Sequence, residues 1–271
     1  DLGFGACLAD DMGLGKTVQW IAYALHVSRR TNRPLLLLCP TSLLGNWQRE
    51  LQRFSPSLRV LVHYGGRRPR GEAFADVLRG IDIVLASYGT ALKDAHELKS
   101  VFWENVTLDE AQYVKNQDTK LSRFVRSLRA AHRIALTGTP VENRLSDLRS
   151  VFSFMNPDLL PPASDRAPER LLPLIRPFLL RRMKTDEGVA PGLPEKIEHT
   201  VYCGLTRLQT ELYEAVLARL KSQLAGADGM KRRGVILSAI TRLKQICNAP
   251  EHALREKSLR AGTSGKLLRL T

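Results

Sequence analysis

The sequence predicts an α/β fold built on a doubly wound parallel sheet. Two observations predict it. Short, nearly all-apolar runs alternate with amphipathic stretches through the first 160 residues, and a strand covered on both faces reads as such a run. The first run also leads directly into a glycine-bearing turn and then a helical stretch, which is the strand–loop–helix order of a parallel unit. Taken in order, the expected strands are 6–9, 35–39, 59–63, 82–86, 106–109 and 133–136, and the expected helices are 16–26, 43–54, 71–78, 121–128 and 146–155. In such a sheet, function gathers at the carboxyl ends of the strands. The loops after Ala9, Cys39, Ala86, Leu108 and Leu136 are therefore the places to look.

Beyond residue 156 the pattern changes. Pro157, Pro161, Pro162 and Pro168 break any regular period and mark a boundary. Mostly helix is expected after it. Apolar residues at 208, 212, 216, 217, 220 and 224 define a helical face over 206–224, and 235–246 is similar. A strand is expected at 198–203 and a flexible basic loop at 226–234. The expected organisation is a sheet domain over 1–160, a helical region over 161–262, and the start of another lobe over 263–271.

The 271 residues suffice for one large or two modest domains. The chain opens at Asp1, already entering the loop-bearing strand, and reads as a piece of something longer. No apolar run approaches the ~20 residues of a membrane helix, so no membrane partner is expected. Cys7, Cys39, Cys203 and Cys247 lie far apart without a C-x-x-C or zinc spacing. They read as reduced core residues of a cytoplasmic protein, or of a nuclear one in a eukaryote. The net charge is +14, and residues 161–271 hold most of the excess, with 20 lysines and arginines against 11 acids. Such an imbalance points to a polyanion, nucleic acid above all.

The loop itself reads Ala9-Asp10-Asp11-Met12-Gly13-Leu14-Gly15-Lys16-Thr17. A turn that wraps a triphosphate must aim several backbone N–H groups inward, which glycine permits without a Cβ clash. Lys16 is placed to reach the β- and γ-phosphates of ATP, and the Thr17 hydroxyl to hold Mg²⁺. The strict pattern has Gly where Asp10 stands. Further on, an apolar run ends in Asp109 and Glu110. Adjacent acids at a strand end can divide their work, Asp109 on the metal and Glu110 on the attacking water. A third strand end carries Thr137-Gly138-Thr139, two hydroxyls around a glycine, suited to coupling nucleotide state to movement.

These motifs occur in a set order: D-D-M-G-L-G-K-T, C-P-T-S-L-L-G-N-W-Q-R-E, L-D-E-A-Q, L-T-G-T-P-V-E-N-R-L-S-D-L, P-F-L-L-R-R-M-K-T-D, L-P-E-K and R-L-K-Q-I-C-N. The chain resembles the bacterial and archaeal members of the Swi/Snf family of helicase-like DNA translocases over nearly its whole length. The resemblance implies a RecA-like lobe and an ATP- and Mg²⁺-dependent motor on double-stranded DNA, with nucleoid, transcription or repair proteins as further partners. In that family the loop opens with Asp, so Asp10 is no defect. By position, Asp10 to Thr17 correspond to the nucleotide loop, Thr17 and Asp109 to the metal ligands, and Lys16, Asp109 and Glu110 to the catalytic groups. Thr41, Ser42 and Asn46 fall in a motif near the DNA backbone, and Ser87 and Thr90 in the next such motif. Trp47 is either part of the first of these motifs or a core aromatic. The loop 65–70 either touches DNA or is solvated. Arg181 and Arg182 belong to the family's L-R-R segment, which contacts DNA or braces the lobes. Gln112 stands where D-E-A-H members have His; with Thr137, Gly138 and Thr139 it is expected to couple ATP to DNA. The family's adenine-recognising segment lies upstream of the loop, and its arginine finger lies on a second lobe downstream of residue 271. A strand-separating helicase and an ATP-gated scaffold are the alternatives; the intact Lys16, Asp109 and Glu110 weigh against the scaffold.

Overall fold

The computed structural model describes residues 3–138, 145–159, 173–189, 194, 197–224, 228–254 and 262–270. The chain divides into two compact units, Asp1–Leu193 and Pro194–Thr271.

The first unit carries seven described strands: β1 (Ala6–Leu8), β2 (Leu35–Cys39), β3 (Val60–His63), β4 (Ile83–Ser87), β5 (Phe102–Asp109), β6 (Arg129–Leu136) and β7 (Leu179–Leu180). They form one sheet in the order β3-β4-β2-β5-β6-β1-β7, and every pairing is parallel. The interior strand β2 explains the two-sided core. All five of its residues are fully buried, and alternate side chains point to opposite faces. Leu36 and Leu38 pack with Val84, Ala86, Val106 and Leu108. Leu35, Leu37 and Cys39 pack with Ile83, Leu85 and two tryptophans, Trp20 and Trp47.

Helices cover both faces. On the second of these cores lie α1 (Lys16–Ser28) and α2 (Leu44–Phe54), which bury Trp20, Ile21, Ala24, Leu44, Trp47 and Leu51. The other face is covered by α3 (Glu72–Leu78), α4 (Tyr88–Lys93), α5 (Ala95–Ser100), α6 (Lys120–Arg126) and α7 (Leu145–Met155), with Phe74, Tyr88, Leu98, Phe124 and Phe152 as their buried contributions. Because the strands are parallel, the loops after β1, β2, β4, β5 and β6 all emerge on one edge.

Several expectations are corrected. Strands β5 and β6 start four residues earlier than the apolar runs suggested. Trp103 and Asn105 pair with Ala130 and His132, and the polar Glu104 and Asn105 had hidden the strand. Helices α4 and α5 were not anticipated. The sheet unit also continues past residue 160, because β7 pairs with β1 and Ile175 joins the core. Cys7 and Cys39 are buried, and burial pushes both thiols up to about 12; Cys203 and Cys247 are half-buried rather than core, and all four are free.

In the second unit, α8 (Arg207–Leu224) and α9 (Gly229–Asn248) pack together, followed by α10 (Pro250–Leu254) and α11 (Gly265–Leu270). Gln209 is fully buried between them. Its amide donates to Ile246 O at 2.7 Å and accepts from Thr206 N and Gly265 N, each at 3.0 Å. Residues 263–270 therefore pack onto this helical unit. The basic stretch 229–234 is helical, its first turn closed by Arg232 N donating to Asp228 O. No strand forms at 198–203, where Val201 and Tyr202 are exposed and no neighbouring strand pairs. Among the described residues, no helix is long and apolar enough to cross a membrane.

Candidate nucleotide-binding site

The loop after β1 turns on Gly13 (φ 88°) and Gly15 (φ 78°), both in the left-handed region that suits glycine. Gly15 is the N-cap of α1, so Lys16 and Thr17 open a helix whose free N–H groups face the loop. Lys16 Nζ donates to Asp10 O at 2.5 Å and Asp11 O at 3.1 Å, which holds the ammonium within the loop.

Asp10 has a local purpose that a strict glycine pattern conceals. Its carboxylate is fully buried. It accepts from Arg182 N at 3.0 Å and from Arg182 Nε at 3.1 Å, and it pairs with Arg182 Nη2. Gln19 closes the network: Arg182 Nη2 donates to Gln19 Oε1 at 2.7 Å, while Gln19 Nε2 donates to Leu14 O at 3.1 Å. Burial acts to raise the Asp10 pKa, but the bonds from Arg182 and Gln19 and the charge of Arg182 outweigh it and leave the carboxyl below its usual value. The chain after β7 thus lies along the loop. Asp11 N donates to Arg182 O at 3.0 Å, Lys184 N donates to Asp11 Oδ2 at 3.1 Å, and a Cβ on Gly13 would sit 3.3 Å from Lys184 Nζ.

The acid couple closes β5. Asp109 is its last residue. Glu110 follows at φ 53°, the one non-glycine residue with positive φ among those described. Such a conformation costs on the order of 1–3 kcal/mol and persists where surrounding contacts enforce it. Those contacts are present. Asp109 Oδ1 accepts from Glu110 N at 3.0 Å, Asp109 Oδ2 from Trp47 Nε1 at 2.6 Å, and Asp109 O from the Tyr88 hydroxyl at 2.7 Å. Burial raises the Asp109 carboxyl above its ordinary pKa, as does the Glu110 charge; the Trp47 bond and the Lys16 charge pull the other way.

Strand β6 lies between β5 and β1, and its loop joins the two halves of the site. Gln112 Nε2 donates to Glu110 Oε2 at 2.7 Å, Thr137 Oγ1 donates to Gln112 Oε1 at 3.1 Å, and Thr137 N donates to Leu8 O at 3.1 Å. A Cβ on Gly138 would lie 2.9 Å from Met12 Cγ and 3.8 Å from Lys16 Nζ, so this loop closely approaches the first one, and any larger residue there would displace the exposed Met12 side chain. Lys16, Asp109, Glu110, Gln112, Thr137 and Gly138 are thereby assembled at one edge. Thr139 lies outside the described residues.

The residues expected near DNA separate into two groups. Thr41, Ser42 and Asn46 are exposed, on the turn after β2 and the first turn of α2. Ser87 and Thr90 are buried and face each other instead of solvent. Thr90 N donates to Ser87 Oγ at 3.2 Å, and Ser87 Oγ donates to Thr90 Oγ1 at 2.9 Å. They cap α4, as Ser at an N-cap does, and their side chains are not presented to solvent where a DNA backbone would meet them, contrary to expectation. Arg182 binds Asp10 and Gln19 through its guanidinium while part of its side chain stays exposed; Arg181 is exposed. In the loop 65–70, Arg68 turns inward and binds Asp94, with Nη2 at 2.9 Å from Oδ1. Asp94 also holds the fully buried His63 at 2.8 Å. Arg67 and Arg70 remain exposed.

A parallel α/β sheet with a glycine loop opening the helix after β1, and an acid couple closing β5, defines a nucleotide-binding lobe of the P-loop, RecA-like class. The chain belongs to the SNF2-related domain family, which it matches over residues 2–252. It is 50% identical over 287 aligned positions to YwqA of Bacillus subtilis, which goes under the name of an ATP-dependent helicase/translocase. It is 34% identical over 266 positions to the human SWI/SNF-related matrix-associated actin-dependent regulator of chromatin subfamily A member 1. These alignments cover 99% and 92% of this chain but 31% and 25% of those proteins, so the chain spans a third or less of the curated relatives it matches. The solved Sulfolobus solfataricus SWI2/SNF2 ATPase core in complex with dsDNA is similar at 41% identity and a TM-score of 0.65, over 99% of this chain and 59% of that one.

Proposed function

We propose that this chain is the first lobe and helical region of an ATP-driven motor that moves along double-stranded DNA without separating its strands. The convergence of Lys16 with Asp109 and Glu110, through the Gln112–Thr137 link, carries this reading. In it, Lys16 exchanges the carbonyls of Asp10 and Asp11 for the β- and γ-phosphates. Gly13 and Gly15 let the loop backbone approach the triphosphate. Glu110 orients the attacking water and polarises it. Gln112 and Thr137 fix the Glu110 carboxylate and tie it to the loop.

The donor set fits Mg²⁺. The Thr17 hydroxyl and the Asp109 carboxylate are hard oxygen donors, and Mg²⁺ is usually held by one or two protein carboxylates together with substrate phosphates and water. Among the described residues, no cluster of three or more His, Cys, Asp or Glu forms a self-sufficient cage. Bound there by Thr17 and Asp109, Mg²⁺ would supply charge neutralisation to the phosphates.

Thr41, Ser42, Asn46 and Arg181 are proposed to meet the DNA backbone, with Ser87 and Thr90 shaping the edge from beneath. Backbone contacts of this kind position without reading sequence. Residues 197–254 are assigned to a helical protrusion onto which 263–270 pack, and a second lobe of the motor is proposed to supply an arginine to the transition state. The cytoplasm of a bacterium or archaeon, or the nucleus of a eukaryote, is the place for such a motor, with nucleoid, transcription or repair proteins as its partners. The test is ATP hydrolysis by the intact protein with duplex DNA, single strands or RNA as the stimulant. Duplex DNA is expected to stimulate most. Log affinity for the duplex should fall linearly with log salt at a slope of about 0.9 per phosphate neutralised. A flat salt dependence, or preference for single strands or RNA, contradicts the reading.

A further inference from the structure

The strongest unassigned contact at the site is the indole of Trp47. The residue is 2% exposed. It sits in the first turn of α2, immediately after Asn46 and close to Thr41 and Ser42, all three exposed. Its indole N–H donates to Asp109 Oδ2 at 2.6 Å. One short segment therefore shows polar side chains to solvent on one side and grips a site carboxylate from the other. A second tryptophan gives the comparison. Trp20, also 2% exposed, stands edge-on to Trp47 with ring centroids 5.3 Å apart. It donates to the same strand, but to Thr107 Oγ1 at 2.7 Å. If packing alone were needed, the two tryptophans would be equivalent.

We infer that Trp47 is a positioning residue for Asp109, and that it makes the binding of metal-nucleotide depend on what occupies the Thr41–Asn46 surface. The physical reason is the number of constraints on Asp109. Its Oδ1 is taken by Glu110 N and its carbonyl by the Tyr88 hydroxyl, so the Trp47 bond fixes the remaining rotation of the carboxylate. Shape-filled packing around α2 transmits a shift of the helix as a displacement of the indole. Anything that settles Thr41, Ser42 and Asn46 in one position thereby settles the carboxylate. By linkage, the effect runs both ways with one coupling constant. The inference rests on the proposed function, since the ligand at Asp109 is Mg²⁺ and the ligand at Thr41–Asn46 is a DNA backbone.

The test compares Trp47→Phe with Trp20→Phe in the intact protein. Each removes one indole N–H and keeps an aromatic ring in the core. Binding of a fluorescent ATP analogue is titrated with Mg²⁺, with and without duplex DNA, and once in EDTA. In Trp47→Phe the half-saturating Mg²⁺ concentration is expected to rise about tenfold, the factor that loss of a second-contact partner of a metal ligand typically brings. Affinity in EDTA should stay within about twofold of wild type, since Trp47 touches the metal ligand and not the loop. Duplex DNA should tighten metal-nucleotide binding in wild type and Trp20→Phe but not in Trp47→Phe. An equal shift in both variants overturns the inference, as does loss of binding in EDTA alongside the metal-dependent binding; Trp47 would then be a core residue only. If wild type itself binds nucleotide with no regard to Mg²⁺, the proposed function fails, which is a separate result.

Discussion

Replacing Glu110 with glutamine lowers DNA-stimulated ATP turnover by about 10²–10⁴-fold, the range expected when a positioned acid–base group is lost, and leaves nucleotide affinity nearly unchanged. The substitution preserves the local geometry. Glutamine accepts the hydrogen bond from Gln112 Nε2 as Glu110 does at 2.7 Å, and it pays the same strain at φ 53°. What it removes is the negative charge and the capacity to take a proton from water. Lys16, Thr17 and Asp109 are untouched, so binding through them persists. Steady-state hydrolysis and equilibrium nucleotide binding in the intact protein measure both halves. A normal turnover rate would discard the role given to Glu110, and loss of binding would show that Glu110 shapes the pocket.

The second large effect concerns Arg182. Arg182→Ala takes from Asp10, fully buried in wild type, its cation, and takes away the strut along the phosphate loop. A misplacement of about 1 Å at a reacting centre can cost about 100-fold, so kcat/KM for ATP should fall by that order. Stability should fall too, with a definite pH dependence. In wild type the Asp10 carboxyl is held below its usual value by Arg182 and Gln19 despite its burial. The stability this contributes is complete above the ordinary Asp pKa of ~3.9 and is lost as pH falls through the lower folded value. In the variant the side-chain bonds and charge of Arg182 are gone, only the bonds from Gln19 and the residue-182 backbone N–H still oppose burial, and the folded pKa moves up from its wild-type value. The deficit relative to wild type is then largest near neutral pH and shrinks on acidification, because protonation relieves the buried charge. Urea midpoints of both proteins at pH 7 and pH 3 check this; an equal deficit at the two pH values would contradict it. Arg182→Lys should recover only part of the loss, since an ammonium cannot reproduce the fork on Asp10 and Gln19.

Much of this was legible in the sequence because it is local. The five apolar residues of β2 announce a strand buried on both faces, and the strand–loop–helix order around Lys16 fixes the phosphate loop. The run ending at Asp109 and Glu110 marks a second strand end. What escaped was non-local or disguised. The start of β5 was hidden by Glu104 and Asn105, which are polar although Asn105 is fully buried. The pair Leu179–Leu180 is too short to read as a strand until β1 is there to receive it. The hydroxyls of Ser87 and Thr90 looked like phosphate ligands; once the chain continues as α4, capping that helix takes them. Trp47 and Asp109 are 62 residues apart, and Arg182 and Asp10 are 172 apart; no period or spacing connects them. The L-R-R segment was left open between DNA and a brace of the lobes; Arg182 instead binds Asp10 and Gln19 within the sheet unit, a role no spacing announced.

The most direct measurement is a crystal structure of the intact protein with Mg²⁺ and a non-hydrolysable ATP analogue. The account predicts that Lys16 Nζ leaves the carbonyls of Asp10 and Asp11, which it now meets at 2.5 and 3.1 Å, and bonds phosphate oxygen, with the metal between Thr17 and Asp109 and the terminal phosphate facing Glu110. A triphosphate bound away from this edge, with Lys16 still on the two carbonyls, would contradict it.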